Sequence, residues 1–139
     1  RSIDVEDLTK HKTDSEEMHV TQEACDIINK AKKNGHRIVA VGTTVQRVLE
    51  TAVSADNNLK PFDGWTNKFI IPPYDFHIAD AMVANFYSPL STMLMLTAAY
   101  GGYDLVMKAY KEAMRYNESD PKRRYRFGTF GDAMLILNN

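Results

Sequence analysis

The chain has 139 residues, 44% of them hydrophobic, and seventeen basic against eighteen acidic residues leave a net charge of −1. That length supports about one domain with an ordinary core, and the near balance of charge excludes reading the whole molecule as a polyanion binder. Its longest apolar stretch, 93–100, is far short of the roughly 20 residues that span a bilayer, while a single cysteine, Cys25, excludes an intrachain disulfide framework and fits a reducing, cytoplasmic location.

The chain opens at Arg1 rather than at a methionine, so it is expected to be a piece of a longer protein, and residues 1–17 read as a solvated polar loop. Residues 18–20 suggest a short strand. Thr21 then has the character of an N-cap. Ala24, Ile27, Ile28 and Ala31 form one helical stripe, Lys30, Lys32 and Lys33 complement the dipole in the last turn, and Asn34-Gly35 stops the helix. Cys25 lies inside it as a small half-buried residue. A buried strand over 37–41 follows and runs through Gly42-Thr43-Thr44 into a helix ending near 54. Its apolar positions Val45, Val48, Leu49 and Ala52 keep the i, i+3, i+4, i+7 spacing.

Residues 56–64 are a turn-rich connection, 67–71 read as a short strand stopped by Pro72-Pro73, and 80–86 as a further strand ending at polar Asn85. Pro89 and Ser91 open a helix that Gly101-Gly102 breaks. A helix over 103–116 carries Leu105, Val106, Ala109 and Ala113 on one face. The polar loop NESDPKRR leads through 125–130 to a last apolar strand, 133–137. Strands alternating with helices predict the α/β class with a mostly parallel sheet. Ligands of such folds gather beyond the carboxyl ends of the strands, which singles out the turn at 42–44 and the stretch 85–87.

The turn at Gly42-Thr43-Thr44 presents the first N–H groups of a helix and the positive end of its dipole, a place that suits anionic or polar ligand groups. Alternatively, Thr43 or Thr44 is only an N-cap and Gly42 only a turn residue. The four histidines, His11, His19, His36 and His77, show no metal-binding pairing on a helix face, so no metal site is expected. Lys122, Arg123, Arg124 and Arg126, interleaved with Tyr125 and followed by Phe127 and Phe130, form the one basic cluster. It reads either as a contact for single-stranded nucleic acid or as a solvated loop entering a strand.

Three segments, AVGTTxxRxLE over 40–50, FIxPxYxFxxxDAxxxNFxxPxSTxLML over 69–96 and YRFxxxGDAMLI over 125–136, stand in this order. With them the chain resembles, over nearly its whole length, the S-adenosylmethionine:tRNA ribosyltransferase-isomerases of queuosine biosynthesis, the QueA family. A weaker fourth match is His11, Ser15 and Glu16. The resemblance implies that residues 1–139 are the carboxy-terminal portion of one barrel-like α/β domain, with a smaller β-barrel domain in the part absent here. It implies transfer of the ribosyl part of S-adenosylmethionine to 7-aminomethyl-7-deazaguanine at the anticodon wobble position of tRNA. Epoxyqueuosine is the product, adenine and methionine are released, and the resemblance implies no metal.

By the same resemblance Gly42, Thr43, Thr44 and Arg47 would hold ribose or carboxylate oxygens of S-adenosylmethionine, and Asn85, Ser91 and Thr92 would line the same cleft. His11, Glu16 or Asp132 would move the protons that the chemistry requires. Lys122, Arg123, Arg124, Tyr125 and Arg126 would face the tRNA. The sequence departs from the family's pattern at Asp14 and Tyr87, each standing where the family has histidine, and at Pro73, which stands for a glycine. These departures define an alternative, a non-catalytic nucleotide- or RNA-binding module of the same fold. An isolated piece of such a domain also exposes apolar surface, which a homodimer of the piece would cover.

Overall fold

The computed structural model describes residues 13–138. In chain order the elements are β1 (Glu16–Val20), α1 (Gln22–Lys33), β2 (Val39–Val41), α2 (Thr43–Ala52), β3 (Phe62–Thr66), β4 (Ala81–Asn85), α3 (Thr92–Gly101), α4 (Tyr103–Ser119) and β5 (Ala133–Leu137). Local chemistry sets several of these limits. Thr21 Oγ1 accepts from the Ala24 N–H at 3.1 Å, and Ser91 Oγ accepts from the Leu94 N–H at 3.1 Å, so α1 and α3 both begin on a hydroxyl cap. Helix α1 ends in a Schellman turn, in which the Gly35 N–H reaches Lys32 O and the His36 N–H reaches Ala31 O.

The described strands form two sheets. Strands β1 and β3 make an antiparallel ribbon in which Met18 faces Gly64. Strand β4 is the centre of the second sheet, parallel to β2 and antiparallel to β5. The sheet is therefore mixed rather than mostly parallel. Inward-outward alternation is the same for either strand direction, so the pattern in the sequence carried no information about β5's orientation.

Other boundaries move for tertiary reasons. The strand expected at 67–71 lies instead at Phe62–Thr66, beginning within the stretch that reads as a turn-rich connection, because pairing with β1 draws it straight despite Asp63 and Gly64. Residues 67–71 are irregular, and Ile70 is nonetheless buried in the core. Strand β2 is shorter than 37–41, since the Ile38 N–H is taken by Asp80 Oδ2 at 2.8 Å. It is also buried on one face only. Cys25 is fully rather than half buried.

Ala40, Met82, Ala84 and Ile136 share the covered face of the second sheet, against Leu96 and Tyr100 of α3 and the apolar residues of α1 and α2. A third cluster joins Phe86 to Leu94, Val106, Tyr110 and Ala113. The opposite face is open: Val39, Val41, Leu135 and Leu137 are 49%, 66%, 63% and 60% exposed. Helix α2 turns Thr43, Gln46, Leu49, Glu50 and Ala52 inward, and Val45, one of its expected core positions, is exposed. On α4 Leu105 likewise faces out. Among the described residues no helix is long and apolar enough to cross a membrane.

Candidate functional site

The strand-to-helix turn after β2 depends on Gly42. Its N–H donates to Val83 O at 2.8 Å, which ties the end of β2 to β4, and its φ of +100° sends the chain directly into α2. A side chain there would be strained. Gly42 is itself the N-cap of α2 and offers no side-chain acceptor, and neither threonine caps the helix. The N-terminal N–H groups of α2 thus face the rim of the sheet with no side-chain cap from Gly42.

A cavity of about 120 Å³ opens at this turn. Helix α2 contributes Thr43, Thr44 and Arg47, and β1 with its approach contributes Thr13, Asp14 and Glu16. The irregular segment after β3 adds Lys68, Phe69 and Ile70, and α3 adds Thr92, Met93 and Leu96. Arg47 donates from Nη2 to Glu16 Oε2. The Arg47 side chain is only 15% exposed, so the pair fixes one cation and one carboxylate within the wall. The ammonium of Lys68 lies 5.6 Å from the centre of the Tyr74 ring.

Of the residues singled out in the sequence, the structure brings Glu16, Thr43, Thr44, Arg47 and Thr92 together around this cavity, with Gly42 as its hinge. Asn85 and Ser91 are placed otherwise. Ser91 caps α3, and the Asn85 amide donates to Gly128 O at 3.4 Å and Thr129 O at 3.2 Å. Asp132 clamps the loop before β5: its carboxylate accepts from the Arg126 backbone N–H at 2.7 Å and from Nη2 at 3.0 Å. Those hydrogen bonds hold its carboxyl below the ordinary aspartate range, with the Arg126 side chain the largest cause. His11 lies outside the described residues. Tyr87 is half-buried, and its N–H donates to Tyr110 Oη at 2.7 Å.

In the basic cluster, Lys122, Arg123 and Arg124 are exposed on the turn after α4, whereas Arg126 is paired with Asp132. The Tyr125 backbone is held by Asn117, and its ring packs on Phe86 and Tyr116.

Sequence reasoning missed two features. Lys68 reads in the sequence as part of the strand over 67–71, with no role of its own. Glu50 figures in the sequence only as the last position of the 40–50 motif, with no role of its own, yet its side chain is wholly buried, with Oε1 2.8 Å from His77 Nδ1 and Oε2 accepting from the His77 N–H at 3.0 Å. Burial first, then the charge of Glu50, pushes the Tyr74 hydroxyl up to about 12. Glu50 thereby anchors the connection that leads into β4. A larger groove of about 690 Å³ lies between α4 and β5, but apolar side chains such as Leu105, Val106 and Ile136 dominate its walls.

The arrangement is that of an α/β domain with a polar cleft at the carboxyl end of a parallel strand pair, where folds of this class take ligands. The chain belongs to the family described as queuosine biosynthesis protein, whose model matches residues 1–136. It is 65% identical over 138 residues to the S-adenosylmethionine:tRNA ribosyltransferase-isomerase of Phocaeicola vulgatus, covering 99% of this chain and 37% of that protein. It is 46% identical over 136 residues to the protein of the same name from Clostridioides difficile, covering 98% of this chain and 38% of that one. The solved structure of the S-adenosylmethionine tRNA ribosyltransferase from Thermotoga maritima matches with a TM-score of 0.75 at 46% identity, covering 86% of this chain and 39% of that chain. The chain thus spans less than two-fifths of the length of these relatives.

Proposed function

We propose that the protein carrying this chain is an S-adenosylmethionine:tRNA ribosyltransferase-isomerase. It transfers the ribosyl part of S-adenosylmethionine to 7-aminomethyl-7-deazaguanine in the anticodon of a cytoplasmic tRNA, forming epoxyqueuosine. The observation that carries this reading is the convergence of Thr43, Thr44, Arg47 and Glu16 on one cavity in a chain that matches the family over residues 1–136.

The cavity suits part of such a substrate. N–H groups of the α2 turn and the hydroxyls of Thr43, Thr44 and Thr92 meet ribose or carboxylate oxygens, Arg47 supplies a fixed positive charge, and Ile70, Met93 and Leu96 give an apolar wall. Glu16 uses one oxygen to hold Arg47, and the other serves as the proton acceptor beside the bound ribosyl group. The role falls to Glu16 rather than Asp132 because the Asp132 carboxylate is occupied by Arg126; His11 is the second candidate. Since pockets for ligands of this size hold about 300 Å³ or more, the remainder of the site comes from the rest of the protein, which also closes the α/β domain toward a barrel. Lys122, Arg123, Arg124, Tyr125 and Arg126 form the face toward the tRNA.

Calorimetric titration of the intact protein with S-adenosylmethionine tests the substrate assignment, and a folded sample that gives no heat refutes it. Adenine release in the presence of tRNA carrying the deazaguanine precursor tests turnover. Binding of both substrates without adenine release would instead favour a non-catalytic module.

A further inference from the structure

The aromatic residues beside the basic loop differ in how they are used. Tyr125 packs against Phe86 and Tyr116, and the Phe127 ring stacks on Phe86 at 5.0 Å with an interplanar angle of 25°. Phe130 is 95% exposed and takes part in no ring pair among the described residues. Leaving a phenyl ring in water forgoes its burial energy, and here the backbone that presents it is held in place.

The turn that carries Phe130 is held from three directions. The Gly131 N–H closes it onto Gly128 O at 3.1 Å, the Asn85 amide donates to Gly128 O and Thr129 O, and the Arg126–Asp132 clamp fixes its base. A Cβ at Gly131 would lie 2.3 Å from Arg126 O, so the turn is as tight as a backbone permits. Its position is also defined. Ala133 pairs with Asn85 at the carboxyl end of β4, and β4 lies between β2 and β5. The Phe130 turn and the Gly42 turn therefore share one rim of the sheet, two strand spacings or about 10 Å apart. Lys122, Arg123 and Arg124 are exposed and, among the described residues, form no salt bridge; they line one shallow depression with Arg126 and Asp132, the clamp at the base of this turn.

We infer that Phe130 is a stacking platform for an unpaired base of the RNA acceptor, with Lys122, Arg123 and Arg124 holding the adjoining phosphates. This inference rests on the reading of an RNA acceptor given above. Charge complementarity selects the occupant: three exposed cations gathered at the base of the turn that carries one bare aromatic ring match a single strand, whose phosphates and unstacked bases alternate, whereas a duplex hides its base faces. The backbone that presents the ring is fixed by its turn, so stacking needs no ordering of the main chain.

The test is fluorescence anisotropy of a labelled anticodon stem-loop RNA with the intact protein and with its Phe130→Ala and Phe130→Trp variants. Phe130→Ala should weaken binding by about tenfold or more, as loss of one base stack does, and Phe130→Trp should restore it. The salt dependence of Phe130→Ala should match the unaltered protein, because no phosphate contact is lost, while Arg123→Ala should flatten it. Thermal melting shows whether each variant keeps its fold. Unchanged RNA affinity in a folded Phe130→Ala variant overturns the inference and leaves the RNA reading standing if Arg123→Ala still weakens binding. A loss of S-adenosylmethionine affinity in Phe130→Ala, with RNA affinity unchanged, also overturns it and assigns the ring to the adenine of that substrate. Absence of RNA binding by the unaltered protein overturns both this inference and the reading beneath it.

Discussion

Replacing Gly101 by alanine tests the packing that joins α3, α4 and β5. A Cβ at this position would lie 2.8 Å from Val106 Cγ2 and 2.9 Å from Ile136 Cγ2. Comfortable carbon contacts begin near ~3.5 Å, so each falls short by roughly 0.6 Å. The two methyls belong to different elements, α4 and β5, and both branch at Cβ, so neither can swing aside as the end of a long side chain would. Overpacking of this kind costs about 1–3 kcal/mol. Against it stands a gain of about 0.4–1 kcal/mol from the reduced freedom of the unfolded chain. The net expectation is a loss of about 1–2 kcal/mol, read as a lower urea midpoint with an unchanged slope by far-UV circular dichroism. Because the clash is partly with Val106, the double variant Gly101→Ala, Val106→Ala should lose less than the sum of its parts by about 0.5 kcal/mol or more. A Gly101→Ala protein as stable as the parent, or more stable, refutes the close approach on which this reasoning rests.

Arg47→Ala should weaken S-adenosylmethionine binding by about 1.5–3 kcal/mol, the cost of one charge-assisted hydrogen bond, and calorimetry reporting unchanged affinity would remove Arg47 from the site. Glu50→Ala strips the His77 N–H and ring of their buried acceptor and should cost about 2–4 kcal/mol in urea melts. Glu50→Gln keeps an acceptor for the N–H and a donor for the ring, and should cost less than half as much. Tyr74 and Tyr100 are pushed from 10.0 up to about 12, mainly by burial. A raised pKa in the folded state means that their contribution is fully present below pH 10, where the unfolded tyrosines are neutral, and is lost as pH rises toward 12. The Tyr110 hydroxyl is pushed up as well, mainly by burial, so absorbance at the tyrosinate band should show three late-titrating groups that join the main transition when the protein is unfolded; titration of all tyrosines near 10 would contradict the burial.

Where the sequence was legible, a local chemical reason lay behind it. Thr21, Ser91 and Asn34-Gly35 announce helix ends because capping is an interaction among neighbours in the chain, and the structure contains those hydrogen bonds. The turn at Gly42 was legible as a strand running into a helix for the same reason, although the glycine rather than a threonine proved to be the cap. What depended on distant partners was not legible. Strand β3 hides in a turn-like stretch because β1 supplies its pairing, and β5 runs antiparallel because of a loop whose path no periodicity records. The gathering of Glu16 against Arg47, 31 positions apart, and the arrival of Lys68 at the same cavity are likewise products of tertiary folding. The family resemblance pointed to much of the cavity wall, but it could not separate the residues that line it from those, such as Ser91 and Asn85, that hold the rim in shape.

The open side of the second sheet, with Val39, Val41, Leu135 and Leu137 facing out and β2 and β5 as its edges among the described residues, leaves an apolar face uncovered. Alone, the chain should be adhesive, prone to join any strand or greasy surface that is offered. Co-produced with the remaining part of a full-length relative as a separate polypeptide, it should turn soluble if that part covers the face. The switch from sticky to soluble would then serve as a direct reporter of assembly, and a way to ask which stretch of the partner polypeptide is enough to complete the fold.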